Sequence, residues 1–228
     1  MTRADWPFSF LYVMLRDMQI DRAGYPFIAG ALIPAALAAV ARRPMVAGSF
    51  AALGGFMAYF FRDPERDVPA APGLVVSPAD GRIMIAGPTD KRWAPPGDWN
   101  QITIFLSPMD VHINRTPVEG TITRIDYRPG AFLPAYDEGS NDNELNELWI
   151  DSPGGTVVVR QVVGMLARRI VCRVVDGQEL ERGQRIGLMK FGSRMDVFLP
   201  PDSTIRVAVG DTVVAGETVI ASFANGAA

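Results

Sequence analysis

Two apolar stretches dominate the start of the chain, and only Arg42 and Arg43 stand between them. The first, AGYPFIAGALIPAALAAVA (23–41), and the second, PMVAGSFAALGGFMAYFF (44–61), carry no charged residue. At 19 and 18 residues, each reaches the lower edge of what an α-helix needs to cross a bilayer. Two such runs in tandem do not suit the core of so short a soluble chain, so they read as an α-helical membrane hairpin. Pro26, Pro34 and Pro44 favour short, kinked helices. Ahead of them, Trp6, Phe8, Phe10, Tyr12 and Leu15 mix with Arg3, Arg16 and Arg22, which reads as an interfacial segment. This charged, aromatic leader has no small-residue cleavage site and does not read as a signal peptide. Residues 1–63 are therefore expected to be an amphipathic segment and a membrane-associated helical hairpin. The arginines do not orient it, since Arg42 and Arg43 lie between the helices while Arg16, Arg22, Arg62 and Arg66 flank them. Both ends are expected on one side, placed here at the cytoplasmic face of the cell membrane.

From residue 64 the texture changes. RDPERDVPAAPG (62–73) is a polar, proline-rich linker. Beyond it, short β-branched runs alternate with turn signals: LVV, GRIMIA, QITIFL, GTITRIDY, GTVVVRQVV, RRIVCRVV, QRIGLMKF, RMDVFLP, STIRVAV and ETVIASF. This spacing predicts a mainly β domain over residues 64–228, of sandwich or barrel type. The closing VAVGDTVVAGETVIA (207–221) has the turn pattern of a hammerhead-type hairpin. Short helices are expected only near NDNELNEL (141–148) and VVGMLA (162–167). In LMKFGSRMDVFLP (188–200), two strands, Leu188–Phe191 and Met195–Leu199, enclose Gly192-Ser193. Such a step is ordinarily a bulge or tight bend. It is also a bond that a protein can cut in itself.

Composition narrows the function. Hydrophobic residues make up 48% of the chain, near the usual globular range, but the mean hydropathy of +0.12 is high for a soluble protein. A net charge of -3 and the absence of a basic tract argue against nucleic acid as a partner. One cysteine, Cys172, excludes an internal disulfide and any cysteine-based zinc cluster. Its setting in RRIVCRVV reads as a small buried hydrophobe. One histidine, His112, excludes every multi-histidine metal site, and no metal is expected.

Four stretches remain: SPADGR (77–82), LSPMDVHINRTP (106–117), GSNDNELNE (139–147) and FGSR (191–194). Singly, each is most simply a turn, a structural histidine, a solvated loop or a bulge. Together they have a chemical logic. A serine that follows a glycine can attack the preceding carbonyl, because glycine tolerates the strained backbone that attack needs. The serine needs a base, which a histidine oriented by a carboxylate supplies. His112 and loop carboxylates such as Asp80 and Asp110 offer these groups. An N-to-O acyl shift, β-elimination and hydrolysis would turn Ser193 into a pyruvoyl group, an electron sink at a new chain terminus.

With FFRDPER (60–66) before them, the ordered motifs FRDPER, SPADG, SPMDVHINRTP, ARRIVC and GLMKFGSR resemble the phosphatidylserine decarboxylase family, in its short prokaryotic branch. The resemblance covers most of the chain. It implies a self-processing, pyruvoyl-dependent carboxy-lyase that makes phosphatidylethanolamine and CO₂ from phosphatidylserine through a Schiff base, without metal or nucleotide. It matches Ser193 to the pyruvoyl-forming serine, Gly192 to the new carboxyl end and Asp80 to the aspartate of the self-cleavage triad. The β chain would be residues 1–192 and the α chain 193–228, held as a heterodimer, with any higher oligomer left open. His112 matches the first histidine of the longer DYHRxHxP motif, where the second histidine belongs to the triad. Here Arg115 takes that second position. Either His112 serves both maturation and decarboxylation, or maturation uses Asp80 with another proton acceptor. Where many members have Leu-Gly-Ser-Thr, this chain has Phe191-Gly192-Ser193-Arg194. Arg115, Arg194 or the arginines near 62–66 are candidates for the substrate phosphate.

Three rivals stand beside this reading. LMKF resembles a biotin-carrying turn and would make Lys190 a modified residue of an uncut carrier. A soluble amino-acid decarboxylase would have no use for the apolar pair. A membrane-anchored β domain without activity would leave FGSR as a plain bulge.

Overall fold

The computed structural model describes residues 19–90, 92–134, 142–164, 169–190 and 193–224. They fall into two compact units, one ending at Glu65 and one beginning at Arg66. Residues 1–18, most of the interfacial segment, lie outside the described residues.

The first unit is a helix pair. Strand β1 (Gln19–Ile20) leads through a 3-10 turn (Arg22–Gly24) into α1 (Tyr25–Val40), and α2 (Pro44–Phe60) runs on to β2 (Arg62–Asp63). The Asp21 carboxylate accepts the Ala23 N–H at 2.8 Å and starts the turn. Pro26 and Pro44 sit in the first turns of their helices, where a missing N–H costs nothing. Pro34 lies inside α1 and removes one ladder bond. Arg42, at φ 54°, turns the chain between the helices. A Cβ on Gly54 would lie 2.6 Å from Leu32 Cδ2, so glycine is what lets α1 and α2 approach. Pairing of Gln19 with Asp63 and Ile20 with Arg62 joins the two ends of the helix pair. Ile33, Leu37, Val40 and Met45 are exposed, while α1 buries only Ala31 and Ala35. The run Arg22–Val40 is long and apolar enough to cross a membrane, and α2 is shorter.

The second unit is mainly β. Its strands are β3 (Leu74–Val76), β4 (Gly81–Pro88), β5 (Asn100–Leu106), β6 (Ile113–Arg115), β7 (Gly120–Arg128), β8 (Leu145–Ser152) and β9 (Gly155–Val163). They continue as β10 (Ile170–Cys172), β11 (Glu179–Leu180), β12 (Arg185–Met189), β13 (Ser193–Leu199), β14 (Thr204–Ile205), β15 (Thr212–Val213) and β16 (Val219–Ser222). One antiparallel sheet of eight strands, in the order β11-β7-β8-β9-β13-β5-β4-β15, curls into half a barrel. Two three-stranded sheets, β10-β12-β6 and β14-β16-β3, complete the unit. The interior face of the large sheet carries Met195, Val197 and Leu199 from β13, Ile102, Ile104 and Leu106 from β5, and Val157 and Val159 from β9. All seven residues of β13 are buried.

Several expectations change here. The segment expected to be helical, NDNELNEL, supplies β8 from Leu145 onward. Its apolar residues mimic a helical spacing because Glu147 is buried too, held by Arg160 at 2.6 Å, so the two-residue period is hidden. In VVGMLA, Val162 and Val163 end β9, and residues 165–167 lie outside the described residues. Cys172 is exposed, not buried. It closes β10, an edge strand of its three-stranded sheet. Around Gly192-Ser193, β12 pairs with β10 and β6, whereas β13 lies between β5 and β9. The strand just before this step therefore belongs to a different sheet from the strand after it, and β12 stops at Met189 rather than Phe191.

Gly81 ties this framework to the site. At φ +151°, a Cβ there would sit 2.2 Å from the Phe105 carbonyl oxygen on β5. Gly81→Ala is expected to push β4 off β5 and to destabilise by more than about 1–3 kcal/mol, the usual cost of the backbone strain alone. A urea unfolding midpoint measures it.

Candidate active site

The start of β4, the end of β5 and the start of β13 meet at one end of the large sheet. Arg82 pairs with Phe105, and Ser193 pairs with Leu106 on one side and Val163 on the other. Ser193 is fully buried, and its Oγ makes no hydrogen bond. Buried hydroxyls are seldom left so. Gly192 and Phe191 lie outside the described residues.

His112 is carried on the loop that follows β5. Asp110 Oδ2 accepts the Ser107 N–H at 2.7 Å, which folds the loop tightly. His112 Nδ1 then lies 2.9 Å from the Asp110 carbonyl oxygen. A carbonyl only accepts, so Nδ1 carries a proton in this contact. The ring is 1% exposed. The Met189 N–H donates to the His112 carbonyl at 3.3 Å, holding this loop to the end of β12, close in sequence to Ser193.

Asp80 stands just ahead of β4. Its carboxylate accepts from Arg66 Nη2 at 2.9 and 3.0 Å and from the Ala215 N–H at 2.8 Å. Burial raises its pKa above the ordinary carboxylate value; the Ala215 N–H and Arg66 oppose this, and Asp110 adds to it. A carboxyl raised in the folded state binds a proton that the unfolded chain releases. Its contribution to stability is therefore full at acidic pH and is lost as pH rises through the raised value. Arg66→Ala removes one opposing charge and is expected to carry Asp80 higher still. Stability would then fall further with rising pH, and the acid limb of any Asp80-dependent rate would move to higher pH. Melting temperature against pH checks the first and a rate profile the second.

The two arginine candidates are differently placed. Arg115, on β6, is 5% exposed and donates to the Gly183 carbonyl at 2.9 Å, while its own N–H bonds the Pro78 carbonyl ahead of Asp80. Arg194 lies on the face of β13 away from Ser193 and bonds Asp196 at 3.1 Å. Both are buried, with ordered partners. A cavity of ≈ 390 Å³ on that outer face is lined by Arg92, Trp93, Arg128, Leu145 and Arg160 among others, and it includes none of Ser193, His112 and Asp80. Lys190 follows β12 and does not cap a hairpin, since β12 and β13 are not paired.

Sequence reasoning missed a polar rung beside Ser193. On the interior face of β9, Val157 and Val159 give way to Gln161, which pairs with Met195. Asn146 Nδ2 donates to Gln161 Oε1 at 3.0 Å, and Gln161 Nε2 donates to Asn114 Oδ1 at 2.9 Å. All three residues are buried. The signal was present: Gln161 interrupts the apolar phase of GTVVVRQVV. Arg66, the partner of Asp80, was legible only as part of FRDPER.

Comparison with known proteins decides the family. The family model for phosphatidylserine decarboxylase matches residues 53–221. A curated phosphatidylserine decarboxylase proenzyme from Symbiobacterium thermophilum is 47% identical over 208 residues, covering 90% of this chain and 96% of that protein. The chain belongs to the phosphatidylserine decarboxylase family. The family is one of carboxy-lyases, and the relative is named as a proenzyme.

Proposed function

We propose that this chain cuts itself between Gly192 and Ser193 and, with the pyruvoyl group so formed, decarboxylates phosphatidylserine to phosphatidylethanolamine at a membrane. The observation that carries this reading is Ser193 itself: buried, unbonded at Oγ, and first in the central strand of the main sheet.

In maturation, Ser193 Oγ adds to the carbonyl carbon of the preceding residue and gives its proton to a base. The C–N bond then breaks, the amine takes a proton, and an ester remains. Loss of the Ser193 Cα proton expels the new carboxylate and leaves a dehydroalanine, which water converts to a pyruvoyl group and ammonia. His112 is the base, through Nε2, since its Nδ1 carries a proton toward the Asp110 carbonyl. Asp80, held by Arg66 and Ala215, supplies negative charge near this end of the sheet. The residues present suit such a group, since a ketone at position 193 leaves no buried hydroxyl without a partner. The pyruvoyl group supplies an electron sink for a substrate amine. His112 also serves as the acid that returns a proton to the substrate Cα.

The products 1–192 and 193–228 stay together as a heterodimer. Strand β13 is paired on both sides by strands from before the cut, and Met195, Val197, Phe198 and Leu199 are fully buried. Each such side chain contributes about 1.5–3 kcal/mol. The helix pair anchors the enzyme at the cytoplasmic face, its exposed apolar side chains in lipid and Arg42 and Arg43 at the tip. The diacyl substrate then keeps its tails in the bilayer, where each CH₂ is worth about 0.8 kcal/mol. We also read residues 207–221 as the hammerhead-type hairpin, with Gly210 and Gly216 at positive φ.

The test is release of labelled CO₂ from carboxyl-labelled phosphatidylserine in detergent micelles, with and without phenylhydrazine. The expected result is release that the carbonyl reagent abolishes. Release insensitive to the reagent would contradict a pyruvoyl mechanism.

A further inference from the structure

Four charged side chains are buried on the outer face of the large sheet: Glu147 on β8, Arg160 on β9, and Arg194 and Asp196 on β13. The register sets Glu147 against Arg160, Arg160 against Asp196, and Asp196 against Thr103 of β5. The contacts follow that row. Arg160 Nη2 lies 2.6 Å from Glu147 Oε1, and Arg160 Nη1 lies 4.0 Å from Asp196 Oδ2. Thr103 Oγ1 donates to Asp196 Oδ1 at 2.9 Å. Arg194 sets its Nε and its Nη2 each 3.1 Å from the same carboxylate. Such a row adds little to stability, because the cost of desolvating buried ions offsets most of their attraction. What it supplies is position. Asp196 is the node that joins Arg194 to both neighbouring strands, and Thr103 and Arg160 both lie before Ser193 in the chain. Residue 194 directly follows Ser193, so a cut before Ser193 turns residues 193–196 into a free chain end. Chain ends fray unless they are tied down.

We propose that Asp196 is a positioning residue for decarboxylation: together with Arg194 it ties the pyruvoyl-bearing end of the 193–228 chain to β5 and β9 of the 1–192 chain. The inference rests on the self-cutting reading above. Before the cut, the peptide bond to the preceding residue also restrains Ser193, so cutting does not depend on the tie. After the cut that restraint is gone, and position 193 keeps its place only as well as residues 194–196 keep theirs. The ends of strands open locally at far less free energy than their middles. A displacement of about 1 Å in a reacting group can cost 10²-fold in rate, so fraying at this end lowers turnover. Asp196 acts through Arg194 and the strand, from the face opposite Ser193, and not by contact with the lipid.

The full chain is made by cell-free synthesis as wild type, Asp196→Asn and Thr103→Val, each also in the uncut Ser193→Ala background. Asparagine keeps an acceptor for Thr103 but loses the charge that holds Arg194. Valine removes the hydroxyl at the other end of the tie. Hydrogen exchange in the peptic peptide that begins at residue 193 reads the strand end directly. Once cut, Asp196→Asn is expected to exchange there about tenfold faster than the wild type, and Thr103→Val to move the same way. In the uncut background both should match Ser193→Ala. Cutting, followed by mass, should run at close to the wild-type rate. In detergent micelles kcat should fall about 10–10²-fold for Asp196→Asn, with KM little changed. Exchange that rises equally in cut and uncut protein overturns the assignment. So does cutting that slows in step with decarboxylation, loss of the folded transition in the uncut background, or a cut Asp196→Asn protein with wild-type exchange and kcat. A wild type that never cuts has no free end at residue 193 and would instead refute the underlying reading.

Discussion

Ser193→Ala is expected to remain one chain of 228 residues and to lose decarboxylation by about 10⁴-fold or more, the scale on which removal of a nucleophile is felt. The loss should be chemical rather than structural. Ser193 Oγ has no hydrogen bond to lose, and an alanine methyl fits a position buried among Leu106, Val163 and Met195. The melting temperature should therefore stay within a few degrees of that of the uncut wild type. Ser193→Cys keeps a nucleophile and is expected to cut slowly. A Ser193→Ala protein that still releases CO₂ would show that the reacting carbonyl is elsewhere.

His112→Asn is expected to slow self-cutting by about 10²–10⁴-fold, the usual contribution of a positioned base. Asparagine can still donate to the Asp110 carbonyl, the bond that Nδ1 makes at 2.9 Å, so the loop should keep its shape. What is lost is Nε2, the ring nitrogen proposed as the base. Mass spectrometry of freshly synthesised protein over hours gives the rate. Wild-type cutting by this variant would assign maturation to Asp80 with another acceptor and leave His112 to decarboxylation alone. Arg115 does not take the place of a second histidine as a base, since a guanidinium keeps its protons and this one donates to Gly183.

Much of this was legible in residue order. The apolar pair and most strands of residues 74–223 follow from spacing alone, and the motif set around Asp80, His112 and Ser193 pointed to the family that comparison shows. What was hidden has a common physical cause. Strands buried on both faces do not show a clean two-residue period. In β8, Glu147 looks like a solvated residue until Arg160 is seen beside it. In β9, Gln161 looks like an intrusion until Asn114 and Asn146 satisfy it. Exposure of Cys172 depends on what packs over β10, and local sequence does not encode that. The sheet change between Met189 and Ser193 is a long-range pairing choice, decided by β5 and β9 rather than by the step itself.

Self-cutting is the central claim, and the intact mass of the purified wild-type protein under denaturing conditions tests it most directly. The account predicts two masses, for residues 1–192 and 193–228, with the second beginning in a blocked, pyruvoyl-sized group that resists N-terminal sequencing. A single mass for an uncut chain, or a second fragment with a free serine amine, would contradict it.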